Sequence, residues 1–147
     1  MPTATKASTT QKTPRADGQI TGLAGELFVA AELLKRGLQT SVTFGNAKAI
    51  DLLAFNPATE KTFSVQVKAV RKPNVFPIAH SRVSSRHIYV FVVLNKPEER
   101  VQYYIVPGSI LFDEPDRFSK WFRDPKFPGI AVKHFKEFED RWEIFQQ

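Results

Sequence analysis

No cysteine occurs anywhere in the 147 residues. A disulfide scaffold, a zinc ribbon, a cysteine nucleophile and a thiol redox centre are therefore excluded. Histidine is sparse as well, and three residues with no HExxH arrangement give zinc chemistry no support. The longest apolar run, residues 87–94, falls far short of the ~20 residues a membrane helix needs, so no integral membrane protein is expected. Residues 1–19 lack the apolar stretch of a secretory signal, and the cytoplasm is the expected location. Pro107-Gly108-Ser109 lacks the glycine pattern of a nucleophile elbow and has no marked acid–base partner.

What is present is ordinary in amount and uneven in charge. Hydrophobic residues make up 42% and charged residues 24%, and a chain of this length should bury roughly two-thirds of its unfolded surface in one domain. Lys and Arg outnumber Asp and Glu by 21 to 15, a net charge of +6 that invites a polyanion without specifying any chemistry. Residues 1–19, rich in Thr, Ala, Ser and Lys, carry no hydrophobic period and are expected to be a disordered tail before a single domain at 20–147.

Local patterns predict a mixed α/β domain. Thr21 is a candidate N-cap, Leu23, Leu27, Ala30 and Leu34 recur at helical spacing, and Gly37 is the stop. Strands are expected at 38–43, 49–55, 63–70, 87–94 and 102–106, the fourth continuously apolar and so interior to the sheet. Asn56-Pro57-Ala58-Thr59-Glu60-Lys61 is turn chemistry and makes a hairpin of the second and third. Pro115 suits a first helical position, and Phe118, Trp121 and Phe122, then Phe135, Phe138 and Trp142, recur at helical spacing.

The hairpin gathers chemistry on one face. Phe63, Val65, Val67 and Ala69 alternate with Ser64, Gln66 and Lys68, so Gln66 and Lys68 are neighbours on the polar side. A symmetric six-residue loop centred between Ala58 and Thr59 sets Asp51 opposite Gln66, with Cβ atoms roughly 5 Å apart; a slip of one residue would send Asp51 to the other face. Asp51 is the only charge in Ala49–Phe55, and a carboxylate there needs a partner or a metal. A structural Asp51–Lys68 ion pair is one reading. Glu26 supports another: it flanks the apolar face of the first helix, between Gly25 and Leu27, whereas Glu32 points to solvent. Together Glu26, Asp51, Gln66 and Lys68 supply hard oxygens and one ammonium, a set suited to Mg²⁺ and a phosphate.

These segments resemble a known superfamily. Gly22-Leu23-Ala24-Gly25-Glu26 opening a helix, Ala49-Ile50-Asp51-Leu52-Leu53-Ala54, and Val65-Gln66-Val67-Lys68 are similar, in order and spacing, to the PD-(D/E)xK nucleases, particularly the archaeal-type Holliday-junction resolvases and restriction-endonuclease-like proteins. The resemblance covers residues 21–70. It implies a restriction-endonuclease-like mixed β-sheet flanked by helices, with an αβββαβ core, and hydrolysis of DNA phosphodiesters with Mg²⁺, Mn²⁺ serving as a substitute. Asp51 would be the main metal ligand, Gln66 would hold the second ligand position, and Glu26 and the Val67 carbonyl would assist. Lys68 would orient the attacking water. Branched or structured DNA is one candidate substrate form, with nicked, duplex and single-stranded DNA left open by the sequence, and cutting both strands would call for a homodimer. Two positions depart from the pattern: Gln66 stands where an acid is usual, and Ile50 where the motif has proline.

Cations follow the site strand. Arg71, Lys72, Arg82 and Arg86 are candidate phosphate contacts, with His80 and His87 among them, or else a solvated loop. Residues 73–85 read as a substrate-facing loop or a degenerate helix. The aromatics Phe118, Trp121, Phe122, Phe135, Phe138, Trp142 and Phe145 suit either base stacking or core packing, and helical spacing favours the core. Two other functions stay open: a catalytically inactive nuclease fold that binds DNA or a protein partner, for which Gln66 speaks, and a structural domain whose Asp51 and Lys68 neutralise each other.

Overall fold

The computed structural model describes residues 14–43 and 50–147, so most of the expected tail and the expected strand start at Ala49 lie outside the described residues. Helix α1 (Pro14–Lys35) begins well ahead of the cap expected at Thr21, and residues 14–19, assigned to the tail from sequence, are helical. Proline suits a first helical turn, where its missing N–H would go unpaired anyway. Thr21 is instead a buried residue of the helix.

The packed face of α1 also differs from expectation. Val29, Ala30 and Leu33 are buried, whereas Leu23, Leu27 and Leu34 are exposed. This helix carries two apolar stripes, and closeness of approach decides between them. A Cβ at Gly25 would lie 2.6 Å from the Ala69 Cβ and 3.4 Å from the Val67 Cγ1, so the glycine lets the helix axis settle onto the sheet. Periodicity weighs residue size and spacing, and it favoured the larger leucines.

The sheet has five strands in the order β1-β2-β3-β5-β6: β1 (Gln39–Val42), β2 (Leu52–Asn56), β3 (Lys61–Val70), β5 (Ile88–Val93) and β6 (Gln102–Pro107). All neighbours are antiparallel except β3 and β5, whose pairing is parallel. The β2–β3 register follows the symmetric loop, with Leu52 opposite Val65 and Asn56 opposite Lys61. The loop itself is tighter than expected, because Asn56 and Lys61 belong to the strands. Asn56 Oδ1 accepts from the Ala58 N–H at 2.9 Å, and Glu60 takes a left-handed φ of 59° to close the turn. The Asn56 Nδ2 donates to the Phe145 carbonyl at 2.9 Å, pinning the hairpin to the C-terminal segment.

Alternation along the strands sorts the core into two halves. Leu52, Ala54, Val65, Val67, Val90, Val92 and Ile105 face α1 and the C-terminal 3₁₀ segment Trp142–Gln146. Tyr89, Phe91, Val93, Tyr104 and Val106 face a second layer built from residues 76–138. There Phe91 stacks on Phe135 with centroids 4.2 Å apart, and each buried Phe contributes roughly 1.5–3 kcal/mol. The second layer covers β5 and β6 but not β1 and β2, and Leu53 on its side of β2 is 40% exposed.

The crossover from β3 to β5 departs from the expected αβββαβ order. In place of the second helix it holds β4 (Val75–Pro77) and one 3₁₀ turn, His80–Arg82. Within residues 73–85 the stretch Val75–Pro77 is strand, because β4 pairs with β7 (Gly129–Ala131) far along the chain. Beyond α2 (Gly108–Asp113) the expected helices are short 3₁₀ segments, including Pro115–Arg117 with its proline at the first turn.

Replacing Gly25 tests the helix–sheet contact. We expect Gly25→Val to destabilise the fold by about 2 kcal/mol, the range for overpacking a filled site. Adding Ala69→Gly should recover part of the loss. Urea denaturation of the single and double variants measures both effects, and additive losses would contradict the contact.

Candidate functional site

The site arises where β2 begins while β3 continues. Along β3 the backbone groups of odd-numbered residues face β2 and those of even-numbered residues face β5. The Val65 carbonyl accepts from the Asp51 N–H at 3.0 Å, and the Val70 carbonyl accepts from the Leu94 N–H at 2.9 Å. Since β2 starts at Leu52, no β2 carbonyl continues the ladder to Val67. The Asp51 side chain takes that place, its Oδ2 accepting the Val67 N–H at 2.8 Å. That bond fixes the position of the carboxylate. The alternation turns the Val67 carbonyl to the same notch.

Thr43 holds Asp51 from the other side. Its N–H and hydroxyl both donate to the Asp51 carbonyl, at 2.9 and 3.1 Å, and the hydroxyl also donates to the carbonyl of Ile50. Nothing in the sequence marked Thr43, since its role depends on β1 lying beside β2.

Gln66 and Lys68 occupy the face of β3 turned away from α1, at the rim of the second layer, and both are partly buried. Gln66 is tied down through its amide nitrogen. Nε2 donates to His87 Nδ1 at 2.8 Å and to the Tyr89 hydroxyl at 3.1 Å, while the Ser84 N–H donates to that hydroxyl at 2.9 Å. Burial lowers the His87 pKa, which favours the neutral imidazole able to accept at Nδ1. Burial pushes the Tyr89 pKa up, and the bond from Ser84 only partly opposes it. With Nε2 so engaged, the Gln66 Oε1 is the atom left for a ligand. His87 and Tyr89 reach Gln66 only through the parallel register that sets Gln66 beside Tyr89, and no local signal encodes that register. The one hint was a hydroxyl inside an otherwise apolar strand.

Among the described residues no ion pair joins Lys68 to Asp51. The mutual-neutralisation reading therefore has no geometric support. Glu26 lies on α1 next to Gly25, which rests on Val67 and Ala69. The structure thus joins Asp51 to Val67 directly and sets Gln66 and Lys68 on the face of β3 turned away from α1, the helix that carries Glu26.

Arg71, Lys72, Arg82 and Arg86 are exposed. His80 is not part of that rim, because its ring stacks on Phe112 and its Nε2 contacts the Phe112 carbonyl at 3.0 Å. Of the aromatics, Phe118, Phe122, Phe135, Phe138, Trp142 and Phe145 are core, and Trp121 is exposed.

The donor set suits one hard divalent cation of low demand. One carboxylate, an amide oxygen and a backbone carbonyl are oxygen ligands of the kind Mg²⁺ accepts when a phosphate and waters complete its shell. Among the described residues no cluster of three His, Cys, Asp or Glu could hold a metal, so this set is short of charge.

No family model matches the chain, and no curated protein matches it in sequence. Solved structures do. A bacterial homing endonuclease, I-Ssp6803I, is similar with a TM-score of 0.58 over 86% of this chain and 89% of that one, at 17% identity. Hjc, a Holliday junction resolvase from the archaeal hyperthermophile Archaeoglobus fulgidus, is similar with a TM-score of 0.52 over 79% and 88%, at 15% identity. The fold is shared with these two nucleases. In this fold the notch beside Val67 falls within the segments that carry the sequence resemblance. No helix among the described residues is long and apolar enough to cross a membrane.

Tyr89→Phe tests the bonds behind Gln66. It removes the oxygen that accepts from Ser84 and Gln66, leaving the Ser84 N–H unpaired at a cost of about 1–3 kcal/mol. Urea denaturation should show that loss; an unchanged midpoint would contradict the network.

Proposed function

We propose that this protein is a Mg²⁺-dependent endodeoxyribonuclease of the cytoplasm that hydrolyses phosphodiester bonds of DNA. The observation that carries the reading is the Asp51 carboxylate fixed on the Val67 N–H beside Gln66 and Lys68, on a nuclease fold. Asp51, Gln66 Oε1 and the Val67 carbonyl would hold the ion, with Glu26 assisting across the notch. Mg²⁺, when bound, supplies positive charge to the phosphate oxygens and acidifies a water molecule. The chain's own parts do the rest. The Lys68 ammonium orients the attacking water and offsets negative charge that builds on the phosphorus centre as the ester oxygen departs. Arg71, Lys72, Arg82 and Arg86 bind neighbouring phosphates and give the complex a steep salt dependence. The two structural neighbours are by name a homing endonuclease and a Holliday junction resolvase, so plain duplex and four-way junction are the first substrates to assay.

A second reading rests on Gln66. An amide in place of a carboxylate leaves the notch poor in charge, which fits a nuclease fold that binds DNA or a protein partner without cutting it.

Cleavage assays with Mg²⁺ or Mn²⁺ on plasmid, linear and branched DNA separate the two. Asp51→Asn and Lys68→Ala should each reduce cutting by about a hundredfold or more, equivalent to about 2.7 kcal/mol, with melting temperature retained. Glu26→Gln should cost less. Normal cutting by Asp51→Asn would refute the site, and DNA binding without cutting by the wild type would favour the second reading.

Gln66→Glu restores the missing charge with little change in shape. Without metal it should destabilise the fold slightly, because a carboxylate facing Asp51 raises one of the two pKa values. Added Mg²⁺ should then raise the melting temperature of the variant more than that of the wild type. Equal responses in a thermal-shift titration would remove Gln66 from the metal site.

A further inference from the structure

The second layer, which stands where a helix was expected between β3 and β5, carries a groove that the proposed chemistry does not use. It runs between the 3₁₀ turn His80–Arg82 and residues 122–128 and encloses about 550 Å³. Ala79, Phe122, Pro125 and Pro128 give it an apolar lining, and Arg82 and Arg123 add cations. Arg123 is held by Asp116, whereas Arg82 is exposed and has no ion pair among the described residues. Next to the lining prolines the chain holds a ring in water. Phe127 is 82% exposed, on a turn where Asp124 Oδ2 accepts the N–H groups of Lys126 and Phe127 at 3.1 and 2.6 Å.

We propose that this groove seats an unpaired base of a DNA strand, with Phe127 stacking at its border, so that the substrate class is DNA with a single-stranded segment rather than continuous duplex. The proposal rests on the nuclease reading for where that strand leads.

The lining selects a base over a phosphate. Ring and aliphatic carbons match the flat face of a nucleobase, whereas a phosphate buried against them would lose its water without gaining donors. The polar atoms of the wall are acceptors. His80 Nε2 contacts the Phe112 carbonyl at 3.0 Å, so the neutral ring carries its proton there and keeps Nδ1 to accept. Phe112 stacks on that ring with centroids 5.5 Å apart and holds it in place. Asp124 keeps Oδ1 after Oδ2 has taken its two N–H groups. Acceptors of this kind suit the exocyclic amino groups of cytosine, adenine and guanine, and thymine has none.

A base reaches such a seat only outside the stack. Paired bases expose their edges in the grooves, so contact with a face calls for an unpaired or extruded nucleotide. Charge and position supply the strand. Phosphates leading from the groove meet Arg82 and then Arg86, both exposed. Two residues beyond Arg82 the Ser84 N–H donates to the Tyr89 hydroxyl, which also accepts from Gln66. The groove belongs to the layer on the side of the sheet that Gln66 and Lys68 face, so one strand can touch both places.

Binding without metal tests this, because cutting then plays no part. With the full chain in EDTA, fluorescence anisotropy compares an oligonucleotide as a single strand and in duplex. The single strand should bind about tenfold tighter, and a cytosine tract tighter than a thymine tract. Phe127→Ala removes an exposed ring and should cost single-strand binding about tenfold, with duplex affinity and melting temperature unchanged. Asp124→Asn keeps an oxygen for the turn and exchanges the other for an amide donor, so the preference for cytosine over thymine should vanish. Leu27→Ala, on the exposed side of α1, should change neither affinity. Equal affinity for single strand and duplex, or equal loss of both in Phe127→Ala, would overturn the seat. Displacement of the oligonucleotide by micromolar dCMP would overturn it too, making the groove a pocket for a free nucleotide. Duplex that is bound and cut, with no advantage for a single strand, would refute the seat and leave the proposed activity standing. A single strand held through Phe127 but never cut with Mg²⁺ would support the seat and refute the activity.

Discussion

One hydrogen bond organises the site: the Asp51 carboxylate accepting the Val67 N–H. It exists because β2 and β3 differ in length. β3 runs on to Val70 after β2 has ended, and a strand that outlasts its neighbour presents backbone groups that must find other partners. A side-chain carboxylate supplies one partner. In doing so it becomes anchored on the β3 backbone at Val67.

Incomplete coverage of the sheet does the remaining work. α1 seals one face along β1, β2 and β3, and the second layer seals the other face only over β5 and β6. Gln66 and Lys68 lie at the boundary, half-buried, where a polar side chain is both held by neighbours and reachable from solvent. Gln66 shows how far this goes. Its nitrogen is fixed by His87 and Tyr89, whose burial favours the neutral form of each, and its oxygen is left outside that network.

α1 shows a different division of labour. Its two apolar stripes have unlike character, one small and able to approach closely at Gly25, the other large and symmetric about Leu27. The first is used within the chain. The second remains on the surface.

The hairpin and its β2–β3 register were legible from residue order alone. Strand alternation and turn chemistry are local, and a symmetric loop leaves one register that keeps the apolar side chains on one face. The six core aromatics were equally legible from their spacing, although the backbone beneath them proved to be 3₁₀. What tertiary structure decided is non-local: the buried stripe of α1, the pairing of β4 with β7 in place of a helix, and the setting of Tyr89 and His87 beside Gln66. Each of these depends on two segments distant in the chain competing for the same surface. The winner is the arrangement that packs closest while satisfying its buried polar groups, and no local pattern records that competition.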